Sequence, residues 1–122
     1  MLMDVILSLH GAMARALIFY LAFVGLWGVV SGVRGRGPSG SFVGALVVGV
    51  VATVIQGSFG LLTFFRAAPR EPLHVLYGFA LVLALPMAWT YARSHGDRRA
   101  SLFLGLATLF AAGLAIRGLT TS

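Results

Sequence analysis

Four apolar stretches dominate this chain, each close to or above the length needed to cross a lipid bilayer. About 20 apolar residues span the roughly 30 Å hydrocarbon core. The first stretch runs from about Ala14 to Val33, the second from Phe42 to Phe65, the third from Leu73 to Ala92 and the fourth from Ala100 to Ile116. The second holds no ionisable residue, and the third has one histidine, His74, at its start. The fourth is short, so Arg117 beyond it is expected to snorkel to the interface. Lipid offers no hydrogen bonds to backbone groups, so a spanning segment must be a helix or part of a closed barrel. A barrel needs apolar/polar alternation in repeated segments of about ten residues. The runs Ala45–Ile55 and Phe79–Leu85 do not alternate.

Composition agrees. Only 10% of the 122 residues are charged and 59% are hydrophobic. A soluble domain carries about a quarter charged residues, so these few charges do not coat one. The chain has no cysteine, which removes disulfides, zinc–thiolate sites, iron–sulfur clusters and thiol nucleophiles. The net charge of +6 comes from nine arginines, no lysine and three acids. Nucleic-acid binding needs basic residues clustered on one exposed face. Here they fall in short runs between the apolar stretches, as at the flanks of membrane spans, so nucleic acid is not expected as a partner.

The links Arg34–Ser41, Arg66–Pro72 and Arg93–Arg99 are short and mix arginine with glycine or proline. Short links make consecutive helices antiparallel neighbours. The sequence therefore predicts an all-α membrane protein: one domain over residues 1–122, an up-down-up-down bundle of four transmembrane helices at about 5–33, 42–65, 73–93 and 100–117. The first helix is expected to be retained, because Met-Leu-Met-Asp lacks the positive start of a signal peptide. The loops after helices 1 and 3 carry five arginines against two in the middle loop. Arg15 and Arg117 at the helix ends narrow that to five against four, but the loops alone predict both termini outside; a prokaryotic plasma membrane is expected.

Membrane helices pack through small residues. Helical spacing selects His10, Ala14, Leu17, Leu21, Gly28 and Gly32 as the inner face of helix 1. In helix 2 it selects Ala45, Gly49, Ala52, Thr53, Gln56, Gly60 and Thr63. His74, Gly78, Leu81, Leu85, Ala88 and Ala92 do so in helix 3, and Ser101, Gly105, Thr108, Ala112 and Ile116 in helix 4. Pro86 is a kink site within helix 3.

His10 and His74 each start an odd-numbered helix on its small-residue stripe, so both lie on one side of the membrane. If helices 1 and 3 are diagonal, the imidazoles face each other across the bundle. Two such histidines are metal ligands of the kind that hold a b-type haem. Gly11 and Gly78 leave room for a flat macrocycle, Arg15, Arg70 and Arg117 are placed to pair with propionates, and Gln56 is a candidate outer hydrogen-bonding partner. In helix number and in this histidine pair, within His10-Gly11 and Leu73-His74-Val75-Leu76-Tyr77-Gly78, the chain resembles the small four-helix membrane cytochromes of the cytochrome b561 type. Those cytochromes usually carry more than one haem. Here His95 is the one histidine on the other side, within Arg93-Ser94-His95-Gly96-Asp97, and reads as a loop residue.

Several readings stay open. The chain binds one haem and takes part in membrane electron transfer, with a quinone as a possible partner; or the histidines are interfacial anchors and the chain is an accessory or assembly subunit of a larger membrane complex or homo-oligomer; or it is a small channel or transporter. Asp4, Glu71 and Asp97 are the whole acidic inventory, so no carboxylate pair and no membrane-embedded acid is present to drive proton-coupled transport. Glu71 is expected to pair with Arg70 or to cap helix 3. Stand-alone enzyme activity is not indicated.

Overall fold

The computed structural model describes residues 2–64, 73–95 and 97–121. It consists of α1 (Leu2–Val33), α2 (Gly40–Phe64), α3 (Leu73–Ala92) and α4 (Arg98–Thr121). All four are long and apolar enough to cross a membrane. They are the helices of an integral membrane protein. Arg66, Arg70 and Glu71, and the roles expected of them, lie outside the described residues.

The helix ends follow from local chemistry. α1 stops at a Schellman motif: Gly35 adopts φ 79°, Gly35 N–H donates to the Gly32 carbonyl and Arg36 N–H to the Ser31 carbonyl. The left-handed conformation at this position favours glycine, which has no Cβ to clash. Ser39 caps α2, its Oγ accepting the Phe42 N–H at 3.1 Å. Asp97 caps α4, its Oδ1 accepting the Arg99 N–H at 3.0 Å. Each cap satisfies an amide that the first helical turn leaves unpaired.

Two helices are longer than the sequence suggests. Residues 2–9 contain no proline and are rich in leucine, a good helix former, so α1 begins at Leu2 and has 32 residues. That is about 48 Å of helix against a roughly 30 Å hydrocarbon core. His10 therefore sits about two turns inside the N-terminal end of α1. α4 likewise continues past Arg117 to Thr121, because Gly118-Leu119-Thr120 contains no proline to stop it.

α1 packs against α2 and α4, and α3 packs against the same two helices, so α1 and α3 are diagonal. The tightest seam joins α1 to α4 and is built on glycine. A Cβ added to Gly28 would stand 2.7 Å from Gly105 Cα, and one added to Gly105 would stand 2.5 Å from Val29 N. Here backbone lies on backbone, as close membrane packing requires. Gly25 faces Leu109 and Gly32 faces Leu102, so the pairing runs in opposite senses along the two helices and they are antiparallel. Phe42 from α2 fills the notch over Gly28, with its ring edge-on to Trp27 at 5.6 Å.

The interior matches most of the small-residue stripes. Leu17, Leu21, Thr53, Gln56, Leu85 and Thr108 are buried. Gly78 and Ile116 are exposed instead. Phe42, Leu46 and Leu104, which a search for small residues passes over, are buried. Tyr20 ties α1 to α2, its hydroxyl donating to the Ala45 carbonyl at 2.6 Å.

Candidate functional site

The antiparallel order brings the start of α3 and the ends of α2 and α4 to one level, where α1 passes through with His10. There the rings of His10 and His74 meet across the diagonal, with centroids 6.3 Å apart and planes crossing at 79°. Both residues are partly buried.

Each histidine is seated by a neighbouring helix. His74 Nδ1–H donates to the Gly118 carbonyl at 2.7 Å. A carbonyl only accepts, so a proton is on Nδ1. Gly118 O is among the last four carbonyls of α4, which have no partner within the helix. The extension of α4 beyond Arg117 thus supplies the group that orients His74. His10 rests on α2, where a Cβ added to Gly60 would stand 3.1 Å from His10 Cε1. Glycine at position 60 gives the imidazole its seat.

Gln56 lies one turn before Gly60. Its Nε2–H donates to the His10 backbone carbonyl at 2.8 Å. That bond fixes which way the amide faces, because the nitrogen must point at the carbonyl. Two polar atoms of the joined residues, His10 Nδ1 and Gln56 Oε1, are buried with no hydrogen-bond partner among the described residues. Unsatisfied buried groups of this kind cost about 1–3 kcal/mol each.

Arg117, next to Gly118, holds its guanidinium 5.4 Å from the Tyr77 ring centre. Tyr77 follows His74 by one turn of α3. Arg15 does not join the group: it is exposed and stands roughly 140° around α1 from His10 at 100° per residue. Gly11 and Gly78 leave space, since an added Cβ at either meets nothing within 4 Å, but Gly78 is on the exposed side of α3.

The structure thus unites His10, His74 and Gln56, with Arg117 beside them, and leaves Arg15 and Gly78 to one side. The Gly118 carbonyl was hidden from the sequence because any residue type supplies the same acceptor. Gly60 was recognised as a small interior residue, but nothing in the sequence linked it to His10. His95 lies at the other end of the bundle, stacked on Tyr91 with ring centroids 5.1 Å apart. Among the described residues no group of three or more His, Cys, Asp or Glu side chains is placed to hold a metal ion. Any metal here would rest on the two imidazoles and a non-protein ligand.

No known protein family, curated protein or solved structure matches the chain.

Proposed function

We propose that His10 and His74 would together ligate the iron of one b-type haem between α1 and α3, and that the protein carries single electrons within the membrane. The observation that carries this reading is the 6.3 Å separation of the ring centres. That separation leaves room for one metal ion between the two imidazoles, which would hold it through their ring nitrogens.

The surroundings support the same reading. A ligating histidine commonly donates its other N–H to a carbonyl or amide oxygen, which fixes the tautomer. His74 makes that bond to Gly118. On the other side, Gln56 donates to the backbone carbonyl of His10 at 2.8 Å and ties α2 to that residue. Arg117 is the described cation beside the site for a haem carboxylate. When bound, the haem supplies reversible one-electron chemistry. The chain's own residues orient the ligands and exclude water. The electron partner is a quinone or another membrane redox protein.

The test is a titration of ferric haem into the purified protein in detergent. The reading requires saturation at one haem per chain with a six-coordinate, low-spin spectrum. Unsaturable uptake with a high-spin spectrum would overturn it.

A further inference from the structure

The end of the bundle away from the histidines carries a different chemistry. Arg34 and Arg36 follow α1, Arg93 follows α3, and Arg98 and Arg99 open α4, all five exposed. Asp97 is the one acidic side chain among the described residues at this end, and its Oδ1 is occupied by the Arg99 N–H. The end is therefore strongly and openly positive.

Beside these arginines, between the start of α2 and the end of α3, lies a groove of about 270 Å³. Its floor is core: Ala92, Ala100 and Leu104 are only 1%, 2% and 1% exposed. Val43 and Trp89 form its sides, and Arg93 and His95 line it where the helices give way to loop. Val43 is in the first turn of α2, Trp89 in the last turn of α3 and Leu104 in the second turn of α4. The groove thus leads from a cationic loop end into the span along an apolar floor.

We infer that this groove binds an anionic phospholipid, with its phosphate at Arg93 and His95 and the start of an acyl chain along Val43, Trp89 and Leu104. The two halves of the site match the two halves of that ligand. Juxtamembrane arginines attract anionic headgroups, each contributing about fivefold to binding near the surface. An acidic soluble partner would neutralise the arginines but leave the apolar floor uncovered. A free phosphate ion would do the same.

Native mass spectrometry of the whole chain, released from nanodiscs of mixed phosphatidylglycerol and phosphatidylcholine, tests this. Wild-type protein retains phosphatidylglycerol over phosphatidylcholine by about fivefold or more. Arg93→Gln lowers that preference about fivefold, and Val43→Trp, which fills the groove, abolishes retention. Arg117→Gln, at the other end, leaves it unchanged. Inorganic phosphate at millimolar concentration does not displace the lipid. Equal retention of the two lipids, a preference that survives both Arg93→Gln and Val43→Trp, or displacement by phosphate alone would each overturn the inference. The result is independent of whether the histidine pair binds haem.

Discussion

His10 and His74 face each other across the diagonal of the bundle with ring centres 6.3 Å apart, though 63 positions separate them in the sequence. Three features produce this. The short links make the helices alternate in direction, the diagonal puts α1 opposite α3, and His10, two turns inside α1, falls at the level at which α3 begins. Gly60 and the Gly118 carbonyl then seat one ring each.

Gln56 is predicted to govern cofactor affinity more than folding. Gln56→Leu removes the 2.8 Å bond to the His10 carbonyl but also removes a buried oxygen that has no partner among the described residues. The two effects oppose, so stability should change by less than about 1 kcal/mol. Loss of a partner behind a ligating histidine typically lowers metal affinity 10–100-fold. Haem titration of the variant should show such a fall, and thermal unfolding should stay near wild type. An unchanged affinity would remove Gln56 from the site.

Gly60→Val should disturb the same site sterically. A Cβ there already approaches His10 Cε1 at 3.1 Å, and valine adds two methyl groups. The ring has to move, so haem affinity should fall while circular dichroism still reports a helical protein. Wild-type affinity in this variant would mean that His10 is not seated on α2.

The α1–α4 seam makes a prediction about stability alone. Gly105→Ala places a methyl group 2.5 Å from Val29 N and 2.8 Å from Gly25 O. Backbone on both sides cannot yield as a side chain can, so overpacking should cost about 1–3 kcal/mol. Gly113→Ala is the control, because nothing lies within 4 Å of the added carbon. Thermal unfolding in detergent should show the first variant destabilised and the second unchanged.

Ser101 should respond in the opposite direction. Its Oγ is buried with no hydrogen-bond partner among the described residues, so Ser101→Ala removes a hydroxyl whose lack of a partner costs about 1–3 kcal/mol. Unfolding of this variant should occur at or above the wild-type temperature. A clear loss of stability would indicate that the hydroxyl is paired in the folded protein.

The helices were legible in the sequence because hydrophobic length is a strong signal, and the buried positions Gly28, Gly49, Thr53, Gln56 and Thr108 were legible because membrane interiors favour small or polar groups at helical spacing. Burial of Phe42 was not legible. It depends on the notch over Gly28, which exists only once α1, α2 and α4 are assembled. His10 and His74 could be singled out as residues of unusual chemistry on matching stripes. Their common level on one side of the membrane followed from the alternating helix directions; the groups that seat each ring, Gly60 and the Gly118 carbonyl, did not, because they depend on how α2 and α4 pack. Arg15 was grouped with the histidines because it lies on the same side of the membrane, and the turn of the helix points it away from His10.

The reduced-minus-oxidised absorbance spectrum of the protein, purified in detergent from cells supplied with a haem precursor, tests the central claim most directly. His10→Ala, His74→Ala and His95→Ala are measured alongside it, with circular dichroism confirming that each variant is folded. The account predicts a Soret band and a sharp alpha band on reduction in the wild type and in His95→Ala, and loss of both in His10→Ala and His74→Ala. A colourless wild-type protein, or a spectrum that persists in folded His10→Ala and His74→Ala variants, would contradict it.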